Sequence, residues 1–368
     1  MSNDHLAEYR AFLDRVLPAD YDGNAREFRT DQKLRREFQA ASFDEGWLVP
    51  EWPRDLGGRD LELPEALAIR IEGALRRAPR QMCIQATGVV APAIRALGTP
   101  EQKERYLRPT LRGEAWWALG MSEPGAGSDL AGLRTTAVRR GDEFIVNGQK
   151  IWTTQADESR WCTLYVRTDP DKPRHRGITC LLVDLDTPGI DVRRIETAGD
   201  AVEAFCEVFF DNVVVPVENV LGEIDGGWIV AMSALEHERD MIWINNWLEL
   251  QRALAPVVAR DDLAPHQLER LGRLMGDMEG IRLTGLRSVA NRALGIPDAL
   301  PGILKVFGSE AVQRGAAFSL EVVSADGLAR SEQFDEVLES FAATIYGGTS
   351  EVQRNIIAER ILGLPKEG

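Results

Sequence analysis

Histidine and cysteine are scarce, with four of each among 368 residues. The cysteines, Cys83, Cys162, Cys180 and Cys206, lie far apart and form no Cys-x-x-Cys pair. That spacing argues against a zinc site or a secreted disulfide framework and leaves buried thiols as the expectation. His5, His175 and His266 are isolated, so no metal pair is expected. Positive charge is also short. Forty-three Lys and Arg stand against 58 Asp and Glu, a formal net charge of -15, and the basic residues are dispersed among acids. An electrostatic footprint for nucleic acid or anionic lipid is therefore missing, and any phosphate-bearing ligand must be held locally. Long apolar runs are missing too. The opening MSNDHLAEYRAFLDRVLPADYDG has neither a cationic nor an apolar leader segment, and no later run is long enough to span a bilayer. A cytoplasmic protein with no membrane partner is expected.

What is present is an ordinary globular composition, 44% apolar and 27% charged, long enough for two or three domains. Up to about Arg112 the periodicity is helical, as in LPEALAIRIEGALRRA, and Thr99-Pro100 reads as a helix start. From Glu114 to about Val217 the period changes to two. WCTLYVRTD, GITCLLVDLD and EVFFDNVVVP read as strands, and EFIVNGQKIWTT alternates about Asn147-Gly148, taken as the turn of a hairpin. Helical spacing returns from Trp228 onward. The expected class is α+β multidomain: a helical domain over residues 1–113, a central β domain over 114–218 and a helical bundle over 219–368.

Two segments of the β region carry candidate chemistry. ALGMSEPGAGSDLAGLRTTA, Ala118 to Ala137, concentrates Gly125, Gly127, Pro124 and small polar residues in one bend, where backbone N–H groups can approach a flat or anionic ligand. A tight inter-strand turn explains it equally well. Leu130 stands where a dinucleotide fingerprint needs glycine, and no βαβ unit surrounds the bend, so a Rossmann site is not expected. In NGQKIWTTQA the returning strand would present Trp152, Thr153 and Thr154, an aromatic face beside hydroxyls that suits a heteroaromatic ring. The alternative is that Trp152 is β-domain core.

SEPGAGSDLAGLRTTA, NGQKIWTTQA, FFDNVVVPVENVLGEIDGGW and IYGGTSEVQRNIIAERILG, in this order, resemble the acyl-CoA dehydrogenase family. The resemblance implies a helical N-terminal domain, a central β domain and a C-terminal four-helix bundle, with FAD as cofactor and an acyl-CoA as substrate. It further implies that Leu119 to Ser128, including Met121 and Gly127, lies along the flavin, with Ser122 near the pyrimidine edge and Ser128 near the thioester. Trp152 and Thr154 match residues that cover the ring and bond near N5. Thr349 and Glu351 match positions near the adenosine-diphosphate part of FAD.

The family reaction removes an α proton while a hydride leaves the β carbon, so a positioned base and donors for the developing enolate oxygen are required. In many members the base is a glutamate directly before the glycine of Tyr-Glu-Gly-Thr, but this chain has Gly347 there. The segment beginning at Trp228 offers a replacement. At about 100° per residue, Trp228, Ala231, Met232, Leu235 and Ile242 share one face, flanked by Glu238 and Arg239, while Glu236, His237 and Asp240 point away. Charged groups facing a core are costly unless paired or used, which marks EHERD as a functional candidate. By resemblance to isovaleryl-CoA and long-chain members, Glu238 is the expected general base. Gly347 would then offer its N–H to the thioester carbonyl, with Arg239 and Gly348 also near the substrate.

One part of the resemblance fails. Most members carry an Arg followed by Phe-Gly, and later a Gln, which reach the FAD of a neighbouring subunit; QRALAPVVARDDLAPHQLERLGRLM has no Phe-Gly. Either a different local structure serves a homo-dimer or homo-tetramer, or a related second chain completes the site in a heterotetramer, as in bacterial enzymes of steroid side-chain breakdown. Other readings are a non-catalytic subunit and an acyl-CoA oxidase. Electron-transfer flavoprotein is the acceptor the family implies, and the acyl group stays open.

Overall fold

The computed structural model describes residues 4–23, 26–198, 204–296, 298–323 and 331–365; the side chains of residues 26, 29, 234–241 and 332 also lie outside the described set. The chain divides into two compact units, Met1–Glu196 with Val202–His237, and Thr197–Ala201 with Glu238–Gly368.

The first unit opens with helices α1 (Asp4–Val16), α2 (Arg26–Thr30), α3 (Gln32–Asp44), α4 (Leu63–Leu75), α5 (Ala91–Leu97) and α6 (Pro100–Leu111). Their starts follow local chemistry. Asp31 caps α3 by accepting from the N–H groups of Lys33 and Leu34. Thr99 caps α6 with a capping box to Gln102, and Pro100 takes the first helical position, as the sequence predicts. Phe12, Leu13, Phe38, Trp47 and Ile69 form the apolar contact among these helices.

The strands are β1 (Trp117–Gly120), β2 (Thr136–Arg140), β3 (Glu143–Thr154), β4 (Trp161–Arg167), β5 (Ile178–Asp184), β6 (Ile190–Ile195), β7 (Phe205–Pro216) and β8 (Val220–Leu221). They form one sheet in the order β6-β7-β3-β2-β4-β5-β8, with β1 pairing parallel to β4. The other long ladders are antiparallel. One sheet face buries Phe144, Val146, Leu164, Val208 and Val213 together. Another apolar cluster joins Trp117, Tyr165, Cys180 and Leu182 of the strands to Val90, Ile94 and Leu107 of the helical region. All four cysteines are buried and unbridged.

The structure corrects the Asn147-Gly148 hairpin. β3 runs unbroken through this dipeptide, and its ladder with β7 shifts register between Val146 and Gly148. The β2–β3 turn lies instead beside Gly141, at φ +63°. Asn147 and Gly148 face a bulge whose extra residue belongs to β7, where Asn212 takes φ +52°. Asn147 Oδ1 accepts from Asn212 N at 2.9 Å across the ladder, and Gly148 takes φ +152° close against Thr135, where a Cβ would lie 2.5 Å from Oγ1. Turn and bulge share the same residue preference because both need backbone that glycine adopts freely. A second shift, between Lys150 and Thr153, brackets Ile151 and Trp152.

After β8 comes α7 (Gly227–Val258), then α8 (Pro265–Ala293), α9 (Leu300–Val323), α10 (Glu332–Ala343) and α11 (Ser350–Ile356). Within the second unit, Ile242, Trp243, Ile244, Asn246 and Trp247 of α7 are buried, as their sequence pattern predicts. Gly285 of α8 and Gly308 of α9 allow close packing: a Cβ would lie 2.2 Å from the Trp243 indole at the first and 2.6 Å from Asn246 Nδ2 at the second. No described helix is long and apolar enough to cross a membrane. No cluster of three or more His, Cys, Asp or Glu able to hold a metal occurs among the described residues.

Candidate functional site

In the first unit, β1 delivers Leu119 and Gly120, and the chain continues through Met121 and Ser122 into a tight turn. Glu123 and Ala126 close that turn with reciprocal backbone hydrogen bonds of 3.0 Å. Leu119, Met121 and Ser122 are half-buried, whereas Gly127 and Ser128 are exposed. A Cβ at Gly125 or Gly127 would meet no atom within 4 Å, and neither glycine has a left-handed backbone. Internal packing therefore gives no reason for glycine at either position. What their missing side chains leave is an open backbone surface. The far end of the loop is tied down: the Asp129 carboxylate accepts from Arg174, and Arg167 Nη2 donates to Ala131 O at 2.7 Å.

The second part comes from the bulge in β3. Trp152 is 56% exposed on a strand whose neighbours Lys150 and Thr153 are fully buried. It is not β-domain core. Its backbone sits at φ +58°, where a bulky residue carries a steric cost, and such strain persists only where surrounding structure imposes it. The indole meets Phe205 edge to face, with centroids 5.9 Å apart. Thr154 is half-buried, while Thr153 Oγ1 is buried without a hydrogen-bond partner. Ile151 N donates to Ser122 O at 3.0 Å, joining the bulge to the glycine-rich segment. The structure thus brings together Leu119, Met121, Ser122, Trp152 and Thr154, although the predicted hairpin that was to present the tryptophan does not exist.

Sequence inspection missed the pair beneath these segments. Lys150, fully buried, donates from Nζ to Glu123 Oε1 at 2.8 Å and to Met121 O at 3.1 Å. The Glu123 carboxylate also accepts from Arg134 N at 2.6 Å and Thr135 N at 2.9 Å. Burial opposes ionisation of Glu123, but the Lys150 ammonium and the Thr135 donors outweigh it and hold its pKa below the ordinary carboxylate value. Burial pushes the Lys150 pKa down against the opposing pull of Glu123. The signal was available. Lys150 falls in phase with Phe144 and Val146, on the core-facing side of an alternating strand.

In the second unit, Gly347 and Gly348 follow α10 with φ of +65° and +93°, both in the left-handed region. Gln353 Nε2 donates to Gly347 O at 3.2 Å, and a Cβ on Gly348 would lie 2.6 Å from that nitrogen. Thr349 caps α11, its hydroxyl accepting from Val352 N at 3.2 Å. Glu351 is exposed in the first helical turn; its own backbone N–H and the Thr349 hydroxyl hold its pKa below the usual range. Gly347, Gly348, Thr349 and Glu351 therefore form one local turn. Glu238 and Arg239 fall within α7, but their side chains, like that of His237, lie outside the described residues.

The residues of the first unit suit the isoalloxazine of FAD. A strained, exposed indole offers a face, an orphaned buried threonine hydroxyl lies beside it in sequence, and the two glycines leave the adjoining backbone unobstructed. Comparison with known proteins agrees in kind. Family models for acyl-CoA dehydrogenases match along the chain: the N-terminal domain over residues 3–114, the middle domain over 118–213 and the C-terminal domain over 225–362. The acyl-CoA dehydrogenase FadE34 of Mycobacterium tuberculosis is 40% identical over 332 residues, covering 89% of this chain and 46% of the relative, so the chain spans about half of that protein's length. A solved structure described as the Tcur3481-Tcur3483 steroid ACAD superposes with a TM-score of 0.86 at 31% identity, covering 99% of this chain and 98% of its own. The ChsE4-ChsE5 complex from Mycobacterium tuberculosis gives a TM-score of 0.81 at 30% identity, covering 100% and 99%.

Proposed function

Since the chain belongs to the acyl-CoA dehydrogenase family, we propose that it oxidises the α,β bond of an acyl-CoA thioester to the trans-2-enoyl-CoA, with Glu238 taking the α proton. FAD, the cofactor that membership implies, supplies the acceptor for the β hydride. The remaining work falls to this chain. Trp152 covers one face of the ring, Leu119 to Ser122 and Thr154 line its edge, and Gly127 and Ser128 leave room for the thioester. Gly347 N–H donates to the thioester carbonyl, with Gly348 and Arg239 beside it, and Thr349 and Glu351 serve the adenosine-diphosphate end of FAD. An α C–H is a poor acid, so a fixed carboxylate and a donor to the forming enolate oxygen must act together.

The observation that supports this reading is Trp152: its indole is more than half exposed and its backbone is held at φ +58°, a strained conformation of the kind that clusters at ligand sites, with an aromatic face open to a flat ring. The test is anaerobic titration of the flavin-loaded protein with straight, branched and steroid-side-chain acyl-CoAs. At least one should bleach the flavin, and Glu238→Gln should bleach more than a hundredfold slower while still binding FAD. Wild-type rates in Glu238→Gln would reject the assigned base. Bleaching without turnover by electron-transfer flavoprotein, but with oxygen uptake, would make the protein an oxidase.

A second subunit is favoured by one further observation. Phe307-Gly308, the chain's Phe-Gly after α8, lies within α9, where Gly308 packs against Asn246 in its own unit and is committed internally. With the Phe-Gly interface element missing, and with a similar structure described as a ChsE4-ChsE5 complex, a related partner chain is proposed to complete the cofactor site. The likeness to a steroid ACAD makes a steroid-derived acyl group the first substrate to try. Native mass spectrometry after co-expression with related chains should show a mixed oligomer holding fewer flavins than chains; a fully flavinated homo-oligomer would reject this.

A further inference from the structure

We propose that Glu123 and Lys150 are positioning residues for the flavin ring, a buried pair that fixes the glycine-rich segment against the Trp152 bulge; this rests on the FAD-binding reading above. A buried ion pair is weak grounds for stability, because apolar residues of similar volume often serve a fold as well or better. Its presence here calls for a more specific role. Lys150 is fully buried and Glu123 is 8% exposed.

Besides their own bond, Lys150 and Glu123 hold backbone next to the open surface. Lys150 Nζ holds the Met121 carbonyl at 3.1 Å, immediately before Ser122. Glu123 begins the turn that Ala126 closes, and its carboxylate holds the N–H groups of Arg134 and Thr135, where the loop returns to the sheet. Thr135 Oγ1 in turn donates to Gln149 O at 3.2 Å, next to Lys150 in β3. Two residues after Lys150, the strand shifts register and turns Trp152 outward. One salt bridge therefore spans the three stretches of chain whose relative placement sets where a flat ring can lie. Charge-assisted hydrogen bonds are shorter and stronger than neutral ones, so the pair holds a carbonyl on one side and two N–H groups on the other more firmly than a neutral amide would.

Glu123→Gln and Lys150→Met are prepared with Val146→Ala, a fully buried position on the same strand outside the pair. Urea unfolding of the flavin-free full-length chain ranks the three by stability. FAD affinity, by quenching of flavin fluorescence, and the visible absorption of the bound flavin are then measured well below each unfolding midpoint. The expected result is a tenfold or greater rise in the FAD Kd and a shifted flavin spectrum in both pair variants, while Val146→Ala keeps wild-type values at comparable or greater loss of stability. Pair variants with unchanged affinity and spectrum, or with losses that only track those of Val146→Ala, would overturn the proposal. If neither pair variant folds, Glu123→Asp decides by the same criteria, since it keeps both charges and shortens the reach by one methylene. Should that too fail to fold, the pair serves folding and the proposal falls. If the wild-type chain binds no FAD on its own, the same titrations are made on the mixed oligomer proposed above, and failure to bind FAD there would count against the FAD-binding reading instead.

Discussion

Replacing Trp152 by alanine tests the ring face most directly. The indole is 56% exposed. Of a side chain offering up to about 250 Å², roughly 140 Å² is therefore open, and a flat ligand lying on one face would cover about half, near 70 Å². A similar area of the ligand is hidden at the same time. At about 25 cal/mol per Å² the two together amount to about 3.5 kcal/mol, on the order of several hundredfold in Kd. The same change should barely touch the empty protein. Among the described residues the indole's one aromatic partner is Phe205, an edge-to-face contact of roughly 1 kcal/mol. Trp152→Gly should cost still less, because relief of a left-handed backbone, about 1–2 kcal/mol, offsets the added chain entropy. The assay is a fluorescence titration of the flavin-free chain with FAD, paired with urea unfolding of the same preparations. A Trp152→Ala chain that binds FAD within threefold of wild type would refute the placement of the ring on this face.

Two further outcomes follow from the packing and the charges. Gly285→Ala should lower the thermal midpoint, since a Cβ there would sit 2.2–2.6 Å from the Trp243 indole and overpacking costs about 1–3 kcal/mol; Gly280→Ala on the same helix meets nothing within 4 Å and should raise it, by about 1 kcal/mol of helix propensity. Equal signs for the two would show that the α7–α8 contact is not as described. Glu123 has a folded pKa below its unfolded one, so its contribution is complete above the ordinary value of 4.5 and fades as pH falls through the lower folded value. Unfolding midpoints of the wild type should therefore drop more steeply below pH 4.5 than those of Glu123→Gln, and parallel curves would exclude a depressed pKa for this group.

Much of this architecture was legible because it rests on local rules. Thr99 and Pro100 announce a helix start through capping chemistry confined to four residues, and the structure keeps it. WCTLYVRTD and GITCLLVDLD become β4 and β5, since apolar strand runs bounded by Gly, Pro and Asp have few other uses. Asn147-Gly148 failed for the converse reason. Whether such a dipeptide turns the chain or runs on as strand depends on a partner far away in sequence, here the bulge at Asn212 on β7. Trp152 was identified by its family match, but nothing local reveals the second register shift or the positive φ that turn it outward. Lys150 was legible in phase and went unweighed, because its partner Glu123 lies 27 positions earlier in the chain, beyond β2. Glu238 rests on helical angle and resemblance, and its side chain falls outside the described residues.

The two borders of the sheet carry a consequence for how this unit meets other molecules. β8 is only two residues long, too short to template an added strand, and β6 carries Asp191, Arg193 and Arg194 among its six residues, with Asp191 and Arg193 paired and the Arg193 guanidinium over Phe209. Both rims are thus poor substrates for strand addition, which guards the chain against fibre-like growth. Recruitment of another polypeptide by this unit then falls to side-chain surfaces, which can be selective, and not to bare backbone, which pairs with any extended segment.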